Sequence, residues 1–401
     1  MARMAKRMMR SMSFRVRAGA ALPLGAQPVP NRLGVTPSAQ SRDFVANKQQ
    51  FQLHSLLTEQ RHPRSFDLST RIAADTADGL AALLSVDEDI SAALQGVADD
   101  PARLAALEHA SREITRALRD GHRLYFYGTG STGRLAETIE SGLWRPFWQR
   151  TAAAPAMAKI EARFPGLGER VRGEITGGDR ALIASLEGFE DIPEIGRLQL
   201  QDNGIRPQDL VFAVTEGGET SAVIGTALAA ADQAGADARR TWFVYNNPDE
   251  VLRPFERSRR VLDDARITKI PLPTGPQAIT GSTRMQATTT SLYVLGVVLE
   301  DATRALLREV LTGDELAALG FNDAGIAERL RGFAAIQRTT AAAAQKLAAW
   351  TDREAASYAA GRHATYLATR ALMPVFVDVT ERAPTFRLSP LDPVDAAERR
   401  S

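Results

Sequence analysis

Three short stretches of this chain combine glycine with hydroxyl side chains, the residue types that can hold an anion. The first is "FYGTGSTGRLAET" at 126–138, with Gly128, Gly130, Ser131, Thr132, Gly133 and Arg134. Glycines let backbone amides approach a ligand closely, amides opening a helix donate to an anion, and the helix dipole favours negative charge. Ser131 and Thr132 add hydroxyl donors. Arg134 either faces the ligand or pairs with an acidic neighbour on its helix. The second stretch, "TEGGETS" at 215–221, has Gly217 and Gly218 for a turn, then Thr220 and Ser221 to cap a helix or bind a ligand. Glu216 and Glu219 would repel phosphate but could bind sugar hydroxyls. The third, "PTGPQAITGSTRMQA" at 273–287, offers Thr280, Gly281, Ser282 and Thr283 just before a long helical pattern. A tight turn or a capped helix start would use the same residues without any ligand. Three such loops in one chain favour a phosphate-monoester cradle. "GTGSTG" matches G-x-G-x-x-G, but no acidic residue sits where a ribose would need one, and no lysine follows as in a P-loop.

These loops need strands to carry them. "RLYFYG" at 123–128 reads as a short buried strand, and strand-like runs return at 210–218, 240–247 and 265–273. Helical patterns separate them, so the chemistry rests on an α/β fold with a parallel sheet covered on both faces. Ligands of such sheets sit beyond the carboxyl ends of the strands, where all three loops fall. Apolar residues spaced three and four apart predict helices over 67–120, and a long apolar helix follows residue 283, with more helix to about 359. At "GRHATYLATRALMPVFVDVTERAPTF" (361–386) the pattern of 121–148 returns, with a basic lead, a short strand and an apolar helix but without the glycines. It reads as the start of a second, related α/β unit.

Composition narrows the chemistry. The chain has 401 residues, 49 basic and 48 acidic, for a net charge of +1. No overall field recruits nucleic acid or a membrane surface. Cysteine is absent, which removes disulfides and thiolate chemistry, and the five histidines are scattered. No metal site and no cofactor are expected. No apolar run is long enough for a membrane span, so a cytoplasmic protein is expected. The first 25 residues carry six basic residues and no acid. They suit a transit peptide or a disordered basic tail.

Together the loops resemble the sugar isomerase (SIS) domain, and more narrowly the family of N-acetylmuramic acid 6-phosphate etherases and the glucokinase regulatory protein. The likeness covers roughly residues 57–300 and, more weakly, 361–386. "TEQRHPRSFDLST" (58–70) is similar to that family's N-terminal signature, "GTGSTGRL" to its first phosphate loop, "TGGDRALIASLEGFED" (176–191) to its glycine-rich acidic segment, and "GPQAITGSTRMQA" to its third loop. The resemblance implies a flavodoxin-like three-layer α/β/α SIS domain at 121–310. Around it lie a basic tail at 1–45, helices at 46–120 and 311–360, and an incomplete second SIS-like unit at 361–401. It also implies a carbon–oxygen lyase that splits lactate from a 6-phosphorylated amino sugar by removing the carbon 2 proton. A phosphosugar sensor without catalysis and a sugar-phosphate isomerase are the alternatives.

Residue by residue, the resemblance implies that Glu190 is the base and that Gly130, Ser131, Thr132, Gly133, Arg134, Gly217, Gly218, Thr220, Ser221, Thr280, Ser282 and Thr283 bind sugar or phosphate. The family's D-x-x-E-x-x-P-T segment has no counterpart after the first loop, where Gly142 stands and Glu140 lies two residues early. "DVTERAPTF" (378–386) reproduces it, which implies Glu381 as the second catalytic carboxylate, the alternative being a helix-end residue with no part in catalysis. Two lobes facing each other, in a homodimer or as an intrachain pseudo-dimer, would bring Glu190 and Glu381 together. Where the etherases carry serine, glycine and arginine in the second loop, this chain has "TEGGET", with Glu219 replacing the cation.

Overall fold

The computed structural model describes residues 36, 38–48, 53–183, 186, 188–235, 239–362, 364–368 and 372–380. The described residues up to Lys48 form a unit of their own. In it, part of the segment read as a tail is the helix Ala39–Asn47, capped by Ser38, whose side chain accepts from the Ser41 amide at 3.1 Å.

The second unit is built on five parallel strands: β1 (Leu124–Gly128), β2 (Val171–Ile175), β3 (Leu210–Val214), β4 (Thr241–Tyr245) and β5 (Ile267–Pro271). Their order is β2-β1-β3-β4-β5. This is the doubly wound order whose direction reverses between β1 and β3, leaving a crevice at the carboxyl ends of those two strands. β1, β3 and β4 are buried along their whole length. Such strands read as continuous apolar runs because helices cover both sheet faces.

The main helices are α1 (Thr76–Ser85), α2 (Glu88–Asp99), α3 (Pro101–Arg119), α4 (Ser131–Glu137), α5 (Pro193–Asp202), α6 (Ser221–Ala234), α7 (Glu256–Leu262), α8 (Gln286–Leu307), α9 (Ile326–Ala341), α10 (Ala344–Ala359) and α11 (Leu372–Thr380). Alternate strand residues fill two cores. Phe126, Phe212 and Trp242 face Leu107 and Ile114 of α3 and Leu295 and Val298 of α8. The Phe212 and Trp242 rings stack with centroids 4.7 Å apart. On the other face Ala213, Phe243 and Tyr245 meet Val223 and Ala227 of α6 and Val261 of α7, while Tyr125 and Tyr127 meet Leu200 of α5.

β2 is a strand that periodicity did not reveal. It is an edge strand with alternating burial, carrying Arg172 and Glu174 among its five residues. At the start of the stretch read as a second α/β unit, residues 364–368 have no regular structure, while residues 363 and 369–371 lie outside the described residues. The helix after them, α11, packs on α4, on the π-helical turn Thr138–Trp144 and on Arg180–Ile183. Among the described residues, no helix is long and apolar enough to cross a membrane.

Candidate active site at the switch point

The first loop explains its own glycines. Gly130 has φ of 55°, a left-handed value that favours glycine, and it swings the chain from β1 into α4. A Cβ on Gly128 would lie 2.3 Å from the Thr132 backbone, so the strand end and helix start can touch only without a side chain there. Thr132 closes the turn on itself: its hydroxyl accepts from the Thr129 amide at 3.0 Å and donates to the Thr129 carbonyl at 2.9 Å. The Thr129 hydroxyl meets that of Thr176, just past β2, at 2.6 Å.

Ser131 points elsewhere. Its hydroxyl donates to Glu216 Oε2 at 2.7 Å. Glu216 follows β3, so this bond spans the crevice between β1 and β3. Thr288 of α8 donates to the other oxygen, Oε1, and Thr283 also bonds this carboxyl. Loops one, two and three therefore meet at one fully buried carboxyl group. Burial raises its pKa, and the three hydroxyl donors oppose that shift only in part.

The other sequence-selected residues divide by partner. Arg134 is fully buried, and its guanidinium donates to the carbonyls of Ala181 at 2.8 Å and Leu182 at 3.3 Å. It thus holds the start of the segment that leads to Glu190. Thr220 meets the Thr215 hydroxyl at 3.0 Å, and Ser221 accepts from Arg257 at 2.9 Å. Gly218 has φ of 85°; its amide donates to Thr215 Oγ1 at 3.3 Å and its carbonyl accepts from the Ser258 hydroxyl at 2.6 Å. Gly217 offers its carbonyl to Asn247 at 2.9 Å. Ser282 is buried and accepts from Arg284, whereas Thr280 is exposed. Gly133 packs against Ile175. Glu190 is exposed, and its carbonyl accepts from the Ala222 amide at 2.9 Å, which fixes it beside the start of α6. Glu381 lies outside the described residues; the helix before it, α11, rests on α4.

The carboxylates that stood out in the sequence have structural bonds. Glu219 accepts from Arg257 Nε at 2.9 Å and from the Ser258 amide at 3.1 Å, tying the second loop to α7. Glu140 accepts from Arg145 Nε at 2.7 Å, Arg172 at 3.2 Å and the Gly173 amide at 2.6 Å, tying the π-helical turn to β2.

Sequence reasoning missed the amides that brace the loops. Asn247, fully buried after β4, accepts from the Leu57 amide at 2.8 Å and donates to Thr58 Oγ1 at 3.0 Å as well as to Gly217. Asn246 takes a bond from Ser291 of α8 at 3.1 Å, its side-chain amide donates to the Leu272 carbonyl at 2.9 Å, and its backbone amide donates to the Glu216 carbonyl at 2.9 Å. Gln277 and Gln286 cross-bond the third loop: Ala287 N donates to Gln277 at 3.0 Å and Ala278 N to Gln286 at 2.8 Å. The N-terminal "TEQRHPRS" runs along this end, where Ser65 donates to the Ala278 carbonyl at 2.6 Å. The available signal was a pair of asparagines directly following a buried strand, the place where site residues collect. Among the described residues, no cluster of metal-ligating side chains occurs.

A doubly wound sheet in the order β2-β1-β3-β4-β5, with hydroxyl-bearing loops meeting over its switch point, is an α/β domain of the SIS type. The chain matches no protein-family model. It is 31% identical over 288 residues to the N-acetylmuramic acid 6-phosphate etherase of Synechococcus sp. (strain CC9605), covering 71% of this chain and 78% of that one. It is 34% identical over 243 residues to the etherase of Picosynechococcus sp., covering 61% and 67%. Against the etherase of Parasynechococcus marenigrum it is 32% identical over 243 residues, 61% of this chain and 64% of the relative, just under two thirds of the relative's length. The chain belongs to the N-acetylmuramic acid 6-phosphate etherase family.

Proposed function

We propose that this protein is a carbon–oxygen lyase that converts N-acetylmuramic acid 6-phosphate to N-acetylglucosamine 6-phosphate and lactate. The observation that carries the reading is the meeting of Ser131, Glu216 and Thr288 across the β1–β3 crevice, which gathers three loops at the position where such a sheet binds ligands. The phosphate is taken by hydroxyls and amides of the first and third loops. Glu190, on the segment anchored to α6, removes the carbon 2 proton of the open-chain sugar. The carbon 3–oxygen bond then breaks, the lactyl oxygen leaves with a proton from a second acid, and water adds to the unsaturated sugar. Glu381, following the helix that rests on α4, is our candidate for that acid, acting within the chain or from a second copy. No step needs a metal or organic cofactor. The substrate is a charged sugar ester that does not cross a bilayer unaided, so we place the reaction in the cytoplasm.

Lactate release from N-acetylmuramic acid 6-phosphate by the purified chain tests this reading. Glu190→Gln should lower kcat by about 10²-fold or more, the usual worth of a general base, and should abolish solvent-deuterium exchange at carbon 2. Glu381→Gln should lower lactate release while leaving that exchange in place. Binding of the sugar without exchange or lactate would mark a sensor and refute the lyase.

A further inference from the structure

Glu216 sits at the centre of a site that we read as taking a phosphate, yet it is an acid. Its side chain is buried and its carboxyl group is bonded by hydroxyls from two directions, Ser131 on α4 and Thr288 on α8. A hydroxyl has one proton to donate. While Glu216 is ionised it can only accept, and it consumes the Ser131 proton. An incoming phosphate dianion would find that donor spent and a negative charge behind it. A proton on Oε2 reverses the bond: the carboxyl then donates to Ser131 Oγ, and the Ser131 O–H is released towards the crevice. Thr288 can still donate to Oε1, or to the Thr283 carbonyl, which lies 3.1 Å from its hydroxyl.

The surroundings favour the neutral acid. From α4, the Arg134 guanidinium donates to the carbonyls of Ala181 and Leu182. In the second loop, Glu219 is paired with Arg257. In the third loop, Arg284 donates to Ser282. From the turn after β4 come Asn246 and Asn247, both neutral. The bonds that reach the carboxyl come from Ser131, Thr283 and Thr288, all hydroxyl residues, with burial as the largest influence on it.

We propose that Glu216 is a specificity-determining residue that admits the phosphosugar only as a neutral carboxylic acid, handing the Ser131 hydroxyl proton to the ligand. The inference rests on the phosphosugar reading above and deepens it. A carboxyl that acted merely as a staple would not link ligand binding to a proton.

The test is the dissociation constant of N-acetylglucosamine 6-phosphate, the proposed product, for the wild-type protein and for Glu216→Gln between pH 6.5 and 9.5. The ester is largely dianionic above pH 7, since such phosphates lose their second proton near pH ~6. The amide keeps one acceptor and one donor, so its affinity should stay flat with pH. Wild-type affinity should weaken by up to about tenfold per pH unit above the ionisation of Glu216, because the binding-competent fraction falls by that factor. A wild-type to variant ratio that grows at least tenfold across the window supports the proposal, and a constant ratio overturns it. Should the variant not fold, the wild type at pH 9 suffices, with binding heats compared in two buffers of different ionisation enthalpy. Net proton uptake supports the proposal and none overturns it. Failure of the phosphosugar reading looks different, because neither protein would then bind the ester at any pH.

Discussion

Asn247→Ala removes the side chain that fastens the N-terminal segment to the second loop. In the structure that amide makes three well-formed bonds: from Leu57 N at 2.8 Å, to Thr58 Oγ1 at 3.0 Å and to the Gly217 carbonyl at 2.9 Å. Asn247 and Thr58 are fully buried, so water replaces none of these partners easily. Each lost bond costs about 1 kcal/mol net, with more wherever a buried group is left unpaired. The sum is about 3 kcal/mol, or a fall of roughly 5 °C in Tm. Urea unfolding of wild type, Asn247→Ala and Asn247→Asp separates the contributions. Aspartate keeps the acceptor for Leu57 but loses both donors and adds a buried charge, so it should be no better than alanine. Phosphosugar affinity should fall alongside stability, because Gly217 and the 57–65 segment are released together. If Asn247→Ala stays within 0.5 kcal/mol of wild type, the argument that this asparagine braces the site is refuted.

Two further predictions concern the packing behind the loops. Burial, then the nearby carboxylates of Glu140, Glu174 and Asp179, push the Glu137 carboxyl up to about 8 from its ordinary 4.5. The folded state thus holds a proton that the unfolded chain gives up, and stability is present below pH ~4.5 and lost as pH rises towards 8, by at most about 1.4 kcal/mol per unit and less for a partly exposed group; Glu137→Gln should flatten that slope in urea melts at pH 5, 6.5 and 8. In β2, a Cβ on Gly173 would lie 2.3 Å from the Ala136 carbonyl oxygen, so Gly173→Ala should push α4 off the sheet and cost about 1–3 kcal/mol, whereas an unchanged melting curve would contradict the close approach seen there.

What the sequence disclosed follows from where the signal was physical. β1, β3 and β4 are buried on both faces, so their apolar runs were plain, and the glycine-bearing turns after β1, β3 and β5 were readable as loops at carboxyl ends. β2 was hidden because an edge strand tolerates charge; "VRGEI" alternates, is five residues long and has a glycine at its centre. The second α/β unit was inferred from a local echo of residues 121–148. Of that stretch the described residues show 364–368 without regular structure and a helix over Leu372–Thr380. In the site, the hydroxyl residues were legible by type but their partners were not. Thr132, Thr220 and Ser221 bond within the protein, and only the fold could show that Ser131 and Thr288, 157 positions apart in sequence, meet at one carboxyl. Asn246 and Asn247 escaped because asparagine after a strand usually signals only a turn.

The second loop also bears on how the family's chemistry survives a change of charge. Two acids, Glu216 and Glu219, stand in a loop that would lie beside a phosphate dianion. A single carboxylate about 5 Å from one phosphate charge costs roughly 3 kcal/mol at an effective dielectric of 20, and a dianion doubles it. Two uncompensated acids would therefore forbid the ligand. The structure deals with one of them through a cation from outside the loop: Arg257 of α7 meets Glu219 and also reaches Ser221, so a positive group still lies at the start of α6. Glu216 has no such cation among its bonded neighbours, which are hydroxyls. Burial raises its pKa, so of the two ways to cancel its charge, a counter-ion or a proton, the proton is the one its bonded neighbours favour. On the phosphosugar reading proposed above, this loop would accept an anion with the cation supplied by Arg257 of the next helix and with burial favouring the protonated form of Glu216.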